Sequence, residues 1–170
     1  MMKRSIITIV LMLCVVAVGF QNHHTDFSGK WRLDMKQSKD LPASFKNLQS
    51  YTLHVDQAKD SMTTIPEFTG MGQTMKLPST IYKFDNTEVY QEDTVRGSKR
   101  WSKASWTTNG QKLIVTSRVI QHLQNGIEQR YTQTDVWQST NANRLLLLVT
   151  QKFEPNDSTR TERRVFVRMK

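Results

Sequence analysis

The chain has 170 residues, 37% of them hydrophobic and 23% charged, a single cysteine and a formal net charge of +9. That length is enough for one domain with a core of its own, and one cysteine rules out a disulfide framework. No glycine-rich phosphate loop, Gly-x-Ser-x-Gly elbow or His-Glu-x-x-His helix occurs, so these common catalytic classes have no foothold.

The chain opens on a basic head, Lys3 and Arg4, followed by an uncharged apolar run from Ile6 to Phe20. The run is short for a membrane span, which needs about 20 apolar residues. Head, run and small residues together read as a secretory signal peptide. Ala17 and Gly19 stand where a signal peptidase requires small side chains, which places cleavage after Gly19. An uncleaved anchor is the alternative. Cys14 lies inside this leader, behind the bulky Leu11, Met12 and Leu13, which argues against a lipidated cysteine. The expected organisation is a signal peptide over 1–19, a polar spacer over 20–26 and a single β-barrel domain over 27–170, exported to the periplasm or secreted. Without a thiol in the mature chain, thiol catalysis and thiolate metal sites are excluded. Export argues against nucleic acid as a partner, and loss of the leader leaves no stable membrane span.

Beyond the spacer the chain reads as short strands separated by turn residues. Strands are expected over 27–34, 51–57, 61–67, 80–84, 88–95 and 100–107. Leu41, Phe45 and Leu48 recur at helical spacing behind Pro42 and predict a short helix or ordered loop over 41–49. Gly70, Gly72 and Pro78 mark 68–78 as a mobile loop at one rim. In the next run Leu113, Val115, Val119 and Leu123 share a face opposite Thr116, Arg118 and His122. Ile127, Tyr131 and Trp137 share another. Asn109-Gly110 and Asn125-Gly126 separate these runs and predict tight hairpins. The four leucines opening 144–153 predict a strand buried on both faces. A last strand alternates Val165, Val167 and Met169 against Arg164, Phe166 and Arg168. About ten antiparallel strands joined by short loops predict an all-β, up-and-down barrel of about 8–10 strands, with a two-sheet sandwich as the alternative.

Phe27-Ser28-Gly29-Lys30-Trp31-Arg32-Leu33 opens the first strand. The segment resembles the Gly-x-Trp signature of the lipocalins and fatty-acid-binding proteins, the calycin-type barrels. The resemblance implies that Trp31 plugs one end of a barrel and that an arginine from the last strand, Arg164 or Arg168, packs across its ring. Arg164-Val165-Phe166 stands where the fatty-acid-binding proteins carry Arg-x-Tyr, without the tyrosine hydroxyl. The chain is also similar to small exported proteins of Bacteroidetes-type bacteria. The shared features are this opening, Lys36-Gln37-Ser38-Lys39, Asn109-Gly110-Gln111-Lys112-Leu113 and Thr134-Asp135-Val136-Trp137. That likeness spans most of 26–170 and implies fold and compartment, not an activity.

The remaining chemistry is sparse. His54 and His122 sit on separate strands. His23-His24 would offer a square-planar Cu(II) or Ni(II) site only if cleavage fell after Gln21. Glu88, Glu92 and Asp93 cluster, either as paired acids of the kind that run glycoside hydrolysis or as a solvated edge facing basic neighbours. No cofactor, metal or catalytic residue is expected. Aromatic residues recur across most strands, and Gln129, Gln133 and Asp135 share parity with Tyr131, where a dry core would penalise them, so either the interior is a wet cavity or this face points the other way. The reading is a non-catalytic, exported, lipocalin-like protein that binds a small, partly apolar or amphipathic ligand in a barrel cavity. Its candidate residues are Trp31, Tyr82, Trp106, Tyr131, Trp137, Arg164 and Arg168. The alternative is an envelope interaction module whose basic outer face, around 160–170, binds a protein or an anionic glycan.

Overall fold

The computed structural model describes residues 24–94, 97–123 and 125–170. The expected leader, Cys14 and His23 lie outside the described residues. Eleven strands follow in order: β1 Gly29–Leu33, β2 Ser50–Gln57, β3 Ser61–Gly70, β4 Gln73–Lys76, β5 Thr80–Lys83, β6 Val89–Asp93, β7 Ser98–Trp106, β8 Lys112–His122, β9 Glu128–Asn141, β10 Arg144–Phe153 and β11 Thr159–Arg168. They form one antiparallel sheet ordered β4-β3-β2-β1-β11-β10-β9-β8-β7-β6, with β5 also on β3. The up-and-down architecture is the one expected, and a single continuous sheet replaces the sandwich alternative. Among the described residues no helix is long and apolar enough to cross a membrane.

The last strand returns to the first, with Trp31 opposite Arg168. The other two ends of the sheet meet at β5 and β6. There Asn86 N–H donates to the Ala104 carbonyl (3.1 Å). The Gln91 side chain bridges the strands, accepting from Ile81 N–H (3.3 Å) and donating to the Ser79 carbonyl (3.2 Å). Inward positions bury Trp31, Leu33, Leu53, Met62, Leu113, Trp137 and Leu145 as the core.

Three local expectations are corrected, and one left open, the facing of β11, is decided. Residues 68–78 are not a loop: β3 runs on to Gly70 and turns through Met71 and Gly72 into β4. The four leucines of β10 are not buried on both faces, since Leu145 and Leu147 point inward while Leu148 is exposed. In the β7–β8 hairpin only the glycine of the Asn-Gly pair supplies the positive φ (68° at Gly110). Asn109 acts through its side chain, accepting from Gln111 N–H (3.2 Å). In β11 the alternation resolves against the valines. Val165 lies under segment 34–40, where its N–H reaches Ser38 Oγ and its carbonyl takes the Asp34 N–H. Glu162, Arg164 and Phe166 therefore occupy the inward face.

The segment 41–49 forms a 3₁₀ turn over Ala43–Asn47 that seats Phe45 across one mouth of the barrel. Thr25, expected in the spacer, is held on the opposite end by its N–H to the Gly110 carbonyl (3.0 Å) and by Gln57 Nε2 (2.9 Å).

Candidate functional site

Strand alternation and register decide what faces inward. Three neighbouring rows cross β7 to β11. The row Trp106, Leu113, Trp137, Leu147 and Arg164 lies toward the closed end. Above it run Ala104, Val115, Asp135, Val149 and Glu162. Next come Ser102, Ser117, Gln133, Gln151 and Arg160. The interior thus grades from apolar at the closed end to polar at the open one.

The closed end is a stack of aromatic rings. Trp31 is 1% exposed and donates its indole N–H to the Phe27 carbonyl (2.8 Å). Arg168, not Arg164, packs across it with Cζ 4.3 Å from the ring centroid. Arg168 is fixed by donating to the Ser28 and Ala142 carbonyls (2.8 and 2.9 Å). Gly29 makes this approach possible: a Cβ there would lie 2.5 Å from Arg168 Nη1, and its φ of 137° disfavours any side chain. Trp106 stacks on Phe27 (5.6 Å) and on His24 (4.6 Å) and meets Phe84 edge-on. Among the described residues, the buried indole N–H groups of Trp106 and Trp137 have no hydrogen-bond partner. Trp31, Trp106 and His24 are thus parts of the plug.

Above the plug lies a chamber of about 130 Å³ bounded by Tyr82, Asp135, Trp137 and Phe166. It shares Tyr51, Arg100, Gln133 and Arg164 with a larger cavity of about 500 Å³ under the Phe45 turn, whose apolar wall is Phe45, Leu48, Phe68 and Leu77. Arg164, taken by sequence as a partner for Trp31, stands instead in this cavity. Its guanidinium lies 5.1 Å from the Phe45 ring and donates to Glu162 Oε2 (2.9 and 2.7 Å). Glu162 is 1% exposed and is also held by Arg160. Tyr131 lies farther out, tilted against Phe153 (5.3 Å). Arg100 donates to Ser117 Oγ (3.3 Å), which is hydrogen-bonded to Ser102 Oγ (2.9 Å).

Burial pushes the Tyr82 hydroxyl up to about 12 and the Tyr131 hydroxyl up as well, so both stay neutral donors. Burial likewise raises the Asp135 carboxyl above its ordinary range, opposed by the positive charge of Arg100 and the Gln133 hydrogen bond. Gln133 Nε2 donates to both oxygens of Asp135 (2.9 and 3.0 Å), and Gln133 Oε1 accepts from Gln151 Nε2 (3.0 Å). The folded state therefore holds the Asp135 proton more tightly than the unfolded chain does. Stability then declines as pH rises from about 3.9 to the raised folded value and levels off beyond it. Urea unfolding across that range should show a decline that Asp135→Asn lacks; parallel curves for the two proteins would refute this account.

Sequence parity put Gln129, Tyr131, Gln133, Asp135 and Trp137 on one face and left its direction open; the structure turns that face inward and adds Arg100, Gln151 and Glu162, which sequence reasoning missed. The available signal was Arg160-x-Glu162-x-Arg164-x-Phe166, charges of alternating sign in phase with an aromatic residue. Elsewhere the surface polar groups pair locally. His54 faces Glu67 (3.8 Å) and His122 faces Glu128 (3.9 Å). Glu88 binds Arg118, and Glu92 accepts from the Tyr90 hydroxyl (2.8 Å).

Neither a scan of protein families nor a search of curated proteins finds a match to this chain.

Proposed function

We propose that this protein is an exported, non-catalytic carrier that binds a small amphipathic molecule inside the barrel. The observation that carries the reading is the cavity of about 500 Å³ between the Phe45 turn and the polar rows, within the ~300–1,000 Å³ typical of ligand sites. Its apolar wall suits the body of such a molecule, and Arg100 at its base suits an anionic or acceptor head. Arg164 is already committed to Glu162, whereas the hydrogen bond of Arg100 goes to a neutral hydroxyl. A charged hydrogen bond is worth about 1.5–3 kcal/mol, so Arg100→Met should weaken an anilinonaphthalene sulfonate dye roughly 10- to 100-fold. The uncharged counterpart, N-phenyl naphthylamine, should bind the variant and the parent alike. Fluorescence titration decides: failure of both probes to bind the parent removes the carrier, and equal losses for both remove the anionic head.

A second reading rests on the outer wall. The outward rows Ile114, Val136, Leu148, Arg163 and Lys112, Gln138, Leu146 hold aliphatic side chains rimmed by cations, with no acidic position in the rows, and run up to segment 34–40, which covers Val165. Arg144 and Arg32 extend the rim on either side of Val167. This surface suits an acidic protein or an anionic glycan. It keeps Arg163 of the patch expected around 160–170 but not Arg160 and Arg164, which strand alternation turns inward. Heparin retention of the mature protein should fall steeply with salt and drop further in Arg144→Glu. Retention indifferent to both would dismiss this reading.

A further inference from the structure

Beside Pro42, at the head of the Phe45 turn, the rim holds a separate pocket of about 310 Å³, bounded in part by Gln121, Gln129, Gln151, Tyr131 and Phe153. Its back wall is the Glu162 carboxylate with Arg160 and Arg164, and this ion pair divides it from the amphiphile cavity. Gln121 and Gln129 face each other across β8 and β9. Among the described residues neither side-chain amide has a hydrogen bond within the protein. Gln151 spends one N–H on Gln133. Tyr131 and Phe153 tilt against each other at 47° and give the pocket an apolar flank.

These groups discriminate among ligand classes. Each glutamine amide offers two donors and an acceptor, which matches adjacent hydroxyls, themselves both donors and acceptors. An apolar ligand would leave the amides unsatisfied, at a cost of about 1–3 kcal/mol for each group it buried. An anion would meet Glu162, and a cation would meet Arg160. We propose that this rim pocket is a second binding site, one that takes a neutral polyhydroxylated ring, a sugar or cyclic polyol, with hydroxyls on Gln121, Gln129 and Gln151 and its C–H face on Tyr131 and Phe153. The volume lies at the lower limit of ligand pockets, which fits a single ring.

The test is nuclear magnetic resonance of the mature protein, following the glutamine side-chain amides. The probes are glucose, galactose, N-acetylglucosamine and inositol at up to about 50 mM, since weak sites have millimolar constants. At least one probe should shift the amides of Gln121 and Gln129, and Gln121→Leu with Gln129→Leu should weaken that probe tenfold or more. The double variant changes half-exposed positions, and its backbone spectrum reports whether it still folds. A trisaccharide binding more tightly than its monomer identifies the end of a glycan chain, and equal binding identifies a free sugar. The proposal is overturned by silent amides with every probe, by shifts that survive in the double variant, or by glucuronate binding more tightly than glucose. The naphthalene dyes read the other cavity, so the two sites stand or fall separately.

Discussion

Glu162→Ala should lower the unfolding free energy by about 3–5 kcal/mol, because it breaks a buried ion pair and strands one partner. Arg164 carries most of that cost. Its side chain is 17% exposed and would keep its charge among Phe45 and Tyr51 with no carboxylate on it, whereas Arg160, 41% exposed, can turn to water. A loss of that size corresponds to a fall in Tm of roughly 10 °C for a domain of this length. Glu162→Leu combined with Arg164→Met should recover most of the loss, since a well-packed apolar pair is often as stable as the ion pair it replaces. Thermal and urea unfolding of Glu162→Leu, Arg164→Met and the double close a mutant cycle. If Glu162→Ala is as stable as the parent, the interior charges are not buried as described. If the double is no better than the single, the loss is one of packing and not of charge.

Trp31→Ala should cost a similar amount, about 3–5 kcal/mol, for a different reason. The change empties the plug of a side chain that is 1% exposed and leaves the Phe27 carbonyl without its donor. Arg168→Ala removes only the cation over the ring and its two backbone contacts. A cation–π contact contributes about 0.5–2 kcal/mol, so this variant should lose clearly less. Urea midpoints order the two. Equal losses would mean that Arg168, and not the indole, holds the closed end together.

The hairpin chemistry was legible because it is local. Asn109-Gly110 and Asn125-Gly126 carry their turn conformations in two or three residues, and the period of two in β8 and β9 marks one face without reference to the rest of the chain. Gly29-x-Trp31 was legible as a close approach, since only glycine admits the Arg168 guanidinium at that distance. The errors share one cause. Residues 68–78 look like a loop because Gly70, Gly72 and Pro78 interrupt them, yet β3 supplies a ladder that their own propensities do not predict. The leucines of β10 look buried on both faces, but the outer face of a barrel wall has no second layer to cover it.

The sequence by itself determined the fold class, the strand alternation and the turn positions, because these depend on side chains two to four residues apart. It could not decide which parity of β11 faces the interior, since valines and alternating charges each make a consistent strand face. Only tertiary structure settled that. Segment 34–40 covers Val165 from outside, and β10 sets Glu162 beside Val149 in the row that carries Asp135. The candidate site rests on that choice: Arg100, Asp135 and Arg164 lie on three strands, and only the curl of the sheet gathers them around one chamber.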